Sequence, residues 1–327
     1  MKIVGLFVFA IAILWALNVS ILPLFAKAPE TPKIAFWADR EGTRDIYLMN
    51  PDGSDQIKIT HPPSKNITPV WAPSGERILF VSDRDGTWDL HLMDPDGTNV
   101  QRVFEKEALR LAPAWSPDGK QIAYTRIMRG GPVVHIATLG EENEERIAAG
   151  GYVSWSPDGS ELAFISGWAV KEMKITLFNL RTRNEKILFP REVIPSWMSH
   201  GATWSPTGEK LAFSWQHRVP FKDFLETETI YIVNRDGTGL TQIIAEEGPR
   251  AVLPVWSPRG DALLYERFVG RRSFHIFKVS LARGKIEQLT HIGWNHLGDW
   301  FDPAYAFPVS PQPHLLTTIW GKMKTQD

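Results

Sequence analysis

Five times along the 327-residue chain a tryptophan opens the run Trp-x-Pro-x-Gly, and each time an aromatic residue follows nine positions after that tryptophan. Trp71-Ala72-Pro73-Ser74-Gly75 leads to Phe80, Trp115-Ser116-Pro117-Asp118-Gly119 to Tyr124, and Trp155-Ser156-Pro157-Asp158-Gly159 to Phe164. Trp204-Ser205-Pro206-Thr207-Gly208 leads to Phe213, and Trp256-Ser257-Pro258-Arg259-Gly260 to Tyr265. Proline fixes φ early in a turn, Asp or Ser accepts local backbone hydrogen bonds, and Gly supplies the unusual φ that closes it. Each unit therefore reads as two short strands joined by a tight turn. The Trp and the aromatic are placed to pack between neighbouring sheets.

A third strand follows in several units. Ile46-Tyr47-Leu48-Met49 runs into Asn50-Pro51-Asp52-Gly53, Leu90-His91-Leu92-Met93 into Asp94-Pro95-Asp96-Gly97, and Ile230-Tyr231-Ile232-Val233 into Asn234-Arg235-Asp236-Gly237. Looser third strands are expected at about 133–138, 174–180 and 274–280. Successive tryptophans lie 44, 40, 49 and 52 residues apart, with 44 more to Trp300. That spacing suits a four-stranded propeller blade and is too short for repeated βαβ units. An open sandwich is the structural rival. The unchanged turn phase favours radial repetition, which protects sheet edges.

The two ends argue for closure. Residues 33–37 look like a second strand without its preceding Trp turn, while Asp299-Trp300-Phe301-Asp302-Pro303 looks like a first strand without its second. Second strands near Phe36, Phe80, Tyr124, Phe164, Phe213 and Tyr265 give an all-β, six-bladed propeller of four-stranded antiparallel blades, closed by the C-terminal segment. The structural repeat positions are Trp71, Trp115, Trp155, Trp204, Trp256 and Trp300. A seventh blade is disfavoured by Pro303, Pro308, Pro311 and Pro313. The domain boundaries read 1–28 for a leader, 29–312 for the propeller and 313–327 for a tail.

The leader carries an apolar run from Ile3 to Phe25 behind Lys2, with small residues at Ala26 and Ala28. A cleaved signal peptide is favoured over a retained membrane anchor, since the run is long enough to span a bilayer if kept. Either reading places the propeller outside the cytoplasm, in the periplasm or held at the inner membrane. With 36 basic and 37 acidic residues the chain has no basic footprint for nucleic acid. It has no cysteine, which excludes disulfides, thiolate catalysis, cysteine-ligated zinc and lipid attachment through an N-terminal cysteine.

The repeat resembles that of the TolB propeller family, a WD40-like repeat with the pattern PxWSPDGxxIAF, DGxxDIYxMxxDG and LT. Thr68-Pro69-Val70-Trp71, Ser82-Asp83-Arg84-Asp85-Gly86 and Asp89-Leu90-His91-Leu92-Met93 match it. In the first blade Asp39-Arg40-Glu41-Gly42 and Asp45-Ile46-Tyr47-Leu48-Met49 match as well. The resemblance covers about 33–306. It implies a propeller fold, with relatives that act as periplasmic protein-interaction modules, as substrate-screening domains of prolyl peptidases, or as sugar lyases. TolB-like proteins carry an α/β domain before the propeller, whereas this repeat begins almost directly after the leader.

Candidate chemistry is sparse. There is no GxSxG elbow, no HExxH and no DxDxDG loop with its terminal Glu. Asp52, Asp96, Asp118, Asp158 and Asp236 sit in the registered turns and read as turn stabilisers. Extra residues near 167–173, 190–200 and 215–227 read as longer loops, so Trp168, Trp215, His217 and Arg218 are the candidate ligand-binding residues. His291, His296, Asp299 and Asp302 are the candidate metal ligands, for a divalent ion near the closure; no other cofactor is expected. The expectation is a monomeric, non-catalytic propeller that binds an envelope protein or a small polar or carbohydrate ligand. Membrane contact would come only through an uncleaved leader. The alternative is a polysaccharide-lyase-type enzyme, for which His200, His217, Arg218 and Lys222 supply raw material.

Overall fold

The structure, a computed structural model, describes residues 27–167, 173–190, 196–198, 200–217, 228–245, 248–270 and 273–306. The apolar run of the leader, the 313–327 tail, Trp168 and Arg218 lie outside them. No helix among the described residues is long and apolar enough to cross a membrane.

Six antiparallel sheets form the six blades. Blade 1 joins Trp294–Phe301, Lys33–Arg40, Thr43–Met49 and Ile57–Lys58; blade 2 joins Asn66–Trp71, Ile78–Ser82, Asp89–Met93 and Gln101–Arg102. Blade 3 runs Arg110–Trp115, Gln121–Met128, Gly131–Thr138, Glu144–Ala149, and blade 4 Gly151–Trp155, Glu161–Ser166, Lys174–Asn179, Glu185–Phe189. Blade 5 pairs both Thr203–Trp204 and Ser196–Trp197 with Lys210–His217, followed by Thr229–Asn234 and Thr241–Gln242. Blade 6 comprises Ala251–Trp256, Ala262–Val269, Ser273–Ser280 and Ile286–Gln288.

The turns form as their residues dictate. Gly119 and Gly159 have φ of 69° and 70°, and each donates its N–H to the carbonyl three residues back. Asp118 and Asp158 accept from the Ser116 and Ser156 hydroxyls and from the backbone N–H two residues on. Asp52, Asp96 and Asp236 accept in the same way from Ser54, Thr98 and Thr238. These aspartates hold turns, as the sequence indicates.

No blade buries both of its faces alone. An apolar cluster fills each gap between neighbours, from blades 1–2 round to blades 6–1. Phe36, Phe80, Tyr124, Phe164, Phe213 and Tyr265, which lie within the second strands rather than at their ends as the sequence suggests, are all fully buried in those gaps. Each such burial contributes roughly 2–3 kcal/mol. Polar contacts add to the gaps, and between blades 2 and 3 the wholly buried Arg110 of blade 3 forks between Asp89 of blade 2, at 2.9 Å, and Glu144 of its own blade, at 2.7 Å.

The ring shuts where the sequence places its two orphan strands. Ile34 pairs with Trp300, Trp37 with His296 and Asp39 with Trp294. Gly298 is required on the closing strand, because a Cβ there would stand 2.3 Å from the Pro69 carbonyl oxygen of blade 2. Next to it, the Asp299 carboxylate accepts the Trp71 N–H of blade 2 at 3.0 Å and the Trp300 N–H at 2.8 Å. One departure from the sequence reading stands out in blade 5. Its second strand continues to His217 because Ser196–Trp197 pairs with it, so 215–217 is strand rather than loop.

Burial around Asp299 lifts its acid from the ordinary 3.8 to about 6, although its two backbone hydrogen bonds pull the other way. The folded state therefore holds this proton more tightly than the unfolded chain. That contribution to stability is fully present below about pH 4 and lost as pH rises through about 6, up to about 3 kcal/mol in all. Replacing Asp299 by Ser should make the fold gain on wild type as pH goes from 5 to 7.5, read from urea midpoints at each pH. A constant difference between the two across that range would contradict the assignment.

Candidate functional site

The inner strands run from one end of a central channel to the other, and the two ends differ in kind. At the turn end stand the five Trp-x-Pro turns. At the other end, the mouth, the inner strands begin and the second strands finish. The connections flanked by Ser166 and Lys174, by Phe189 and Thr203, and by His217 and Thr229 all leave from the mouth. These are the stretches where the repeat is least regular.

Below the mouth lies a cavity of about 250 Å³. Its waist is formed by backbone bulges three residues before the tryptophans. Thr68, Ala112, Tyr152 and Leu253 all have positive φ, between 48° and 56°, and each inner strand slips register there. In blade 5 the position belongs to Gly201, whose Cβ would lie 2.1 Å from the Tyr152 carbonyl oxygen. Such bulges sharpen the twist of a strand and re-aim its side chains.

Blades 6 and 1 supply the polar chemistry of the cavity. Glu266 is buried, and its carboxylate accepts the Leu297 N–H at 2.8 Å and contacts His296 Nδ1 at 3.0 Å. Because an ionised carboxylate only accepts, this contact calls for the proton on Nδ1, the tautomer whose Nε2 is an acceptor. The His296 ring lies flat on the Trp37 indole, with centroids 4.1 Å apart and planes at 15°. Arg44 covers the indole at 5.7 Å, and Phe274 flanks the imidazole at 5.6 Å. On the rim, Ile292 and Trp294 are exposed to 72% and 42%.

Blade 5 closes the far side. His200 meets the edge of the Tyr152 ring at 5.4 Å, and burial lowers its pKa although Glu266 and Glu228 pull upward. Glu228 is buried and neutralised by Arg250 at 2.7 Å, with the Ser214 hydroxyl donating at 2.9 Å. The described part of the cavity thus offers one histidine–carboxylate pair, a neutral histidine and broad aromatic faces.

The residues singled out from sequence distribute differently. His296 enters the cavity, but it is held by Glu266 and not by a metal-ligand set. His291 is exposed, Asp299 lies toward the turn end, and Asp302 caps a short 3-10 turn by accepting the Ala304 N–H. The four do not converge, and among the described residues no group of three or more His, Asp or Glu side chains is placed to hold a metal ion. Trp215 requires a correction. It is a core residue of the blade 4–5 gap, 6% exposed and packed edge-on against Phe189, because the extended strand turns it inward. The backbone of His217 pairs with Ser196, while its side chain, like Trp168 and Arg218, lies outside the described residues.

Trp37 and Glu266 escaped the sequence reading, yet a signal was present. Both immediately follow the recurrent aromatic of a second strand, where the other blades carry Val81, Thr125, Ile165 and Ser214. A large aromatic and a carboxylate break that small-residue pattern. Nitrogen-detected NMR should find His296 as the Nδ1–H tautomer, and Glu266→Ala should return it toward the Nε2–H form usual for free histidine. An Nε2–H ring in the unaltered protein would contradict the pairing.

Comparison with known proteins now bears on identity. The family model described as the TolB β-propeller domain matches residues 87–296. No curated protein sequence matches the chain. TolB from Acinetobacter baumannii superposes with a TM-score of 0.68 at 19% identity, covering 82% of this chain and 66% of that one. The chain thus spans just under two thirds of that protein's length. A putative TolB from Agrobacterium tumefaciens gives 0.65 at 17% identity, over 85% and 99% of the two chains. An oligogalacturonate lyase in complex with manganese reaches 0.49 at 18% identity, over 81% and 74%, too distant to bear on function. At these identities the structural likeness is one of fold; the family match, over more than half of the sequence, shows that the chain belongs to the TolB β-propeller domain family.

Proposed function

We propose that this chain is a non-catalytic binding propeller of the cell envelope that engages a protein partner at the channel mouth. Family membership and the apolar leader support the setting. The observation that carries the reading is the conjunction, at one end of the ring, of exposed Ile292 and Trp294 with the Trp37–His296–Glu266 cavity. Large apolar side chains around a pocket with a few fixed polar groups are the makings of a protein-binding anchor.

Size favours a protein side chain over a length of polysaccharide. A cavity of about 250 Å³ falls below the usual range for small-molecule sites, roughly 300–1,000 Å³. It suits one inserted side chain, with His296 Nε2 accepting a hydrogen bond at its base. The reading needs no cofactor and a single ring.

The test uses the full chain as bait in solubilised envelope, with captured proteins quantified by mass spectrometry. Ile292→Asp combined with Trp294→Ala should lower recovery of the specific partner at least tenfold. Ile286→Asp, on the exposed outer strand of blade 6, should leave recovery unchanged. Equal recovery by all three proteins, or no saturable capture by the unaltered chain, would contradict the proposal.

A further inference from the structure

The turn end of the channel holds a second cavity, of about 330 Å³, remote from the mouth. Its wall is a collar of prolines, Pro73, Pro117, Pro157, Pro206 and Pro258, one from each Trp-x-Pro turn of blades 2 to 6. Trp300, Phe301 and Tyr305 complete the collar on the side of blade 1. Two carboxylates stand in this otherwise largely apolar wall, Asp302, which is committed to capping the 3-10 turn through the Ala304 N–H, and Asp299 on the closing strand.

Strand register shows how unusual that group is. The equivalent inner-strand positions pair with Leu79, Ala123, Ala163, Ala212, Leu264 and Ala35, and they carry Val70, Ala114, Ser154, Thr203, Val255 and Asp299. Five blades place a small apolar or hydroxyl side chain there; the closing blade places an acid. The hydroxyls suffice to link blades, since Ser154 donates to the Ala202 carbonyl at 2.6 Å and Thr203 to the Pro254 carbonyl at 3.0 Å. Linking blade 1 to blade 2 therefore does not by itself require a charge.

Each Asp299 oxygen takes one backbone N–H, which leaves acceptor capacity on both. Among the described residues no cationic side chain acts on it. The nearby rim cation, Arg259, donates instead to the Tyr305 hydroxyl at 3.1 Å. A carboxylate half-buried in a largely apolar wall is ordinarily paired, metal-bound or protonated. The walls decide which counter-ion fits. Calcium or magnesium needs six or more oxygen ligands, and two carboxylates, one of them holding a turn, among proline rings and aromatic faces fall short of that; no group of three or more acidic or histidine side chains gathers among the described residues. Those same surfaces suit methylene groups, and aromatic faces attract an organic cation.

We propose that the turn end of the channel is a binding site for a small primary alkylammonium ion, with the ammonium on Asp299 and its alkyl stem against the proline collar. The site is independent of the mouth and of the partner engaged there.

The test titrates the intact protein at pH 7.5 with n-butylammonium, following the backbone N–H signals of Trp71 and Trp300 by NMR. Both should move saturably, and n-butanol, with the same stem and no charge, should bind at least tenfold more weakly. Calcium and magnesium at the same concentration should not displace the amine. Asp299→Ser, the residue blade 4 already carries at this position, should weaken the amine at least tenfold. Equal binding of the two stems, no saturable movement at either N–H, displacement by calcium, or full affinity in Asp299→Ser would each overturn the proposal. The comparison of stems stands even if that variant folds poorly.

Discussion

The pairing of Trp294–Phe301 with Lys33–Asp39 is the contact on which every other blade interface depends. A four-stranded blade has two apolar faces that strands of the same sheet cannot cover. Burial comes only from neighbours, so an open row would leave two faces wet. Joining the last inner strand to the first second strand removes both ends of the row at once. The cost is a contact between segments distant in sequence, with the loop-closure entropy that implies. Phe301 against Trp71 at 5.3 Å, Gly298 against the Pro69 carbonyl, and Asp299 on the Trp71 N–H all tie the closing strand onward into blade 2.

Closure divides the molecule into two unlike ends. At the turn end, proline, glycine and a local hydrogen-bond acceptor solve one geometric problem repeatedly, and the result is near-uniform. At the mouth, strand ends are free to differ, and they do: indole, imidazole and carboxylate meet between blades 1 and 6, and an arginine–glutamate pair sits between 5 and 6. The scaffold thus positions the site by exempting one end from the repeat. Asp299, the one acid at its register position among the six inner strands, is the exception at the uniform end.

How much of this was legible from the sequence follows from the same division. Trp71, Trp115 and their counterparts announce strands, turns and ring closure because the chemistry of a tight turn is local. The bulges at Thr68, Ala112, Tyr152 and Leu253 gave no such warning, for none of these residues favours positive φ, and only inter-strand register imposes it. Trp215 misled because its place outside the repeat suggested a loop, whereas pairing with Ser196–Trp197 extended the strand and turned it into the core. His296 was noticed for a metal set, but its partner, Glu266, lies 30 residues away on another blade. Pairings of that kind belong to the fold and leave no spacing signature.

The central claim is that the ring is closed by strands from opposite ends of the chain, and the absence of cysteine makes it directly testable. Asp39 and Trp294 face each other in the closing register, so Asp39→Cys with Trp294→Cys places two thiols in an otherwise thiol-free protein. Mild oxidation of the folded protein should form an intramolecular disulfide in high yield, seen as faster migration on a non-reducing gel and reversed by reductant. A yield no greater than in the urea-unfolded chain would contradict closure in this register.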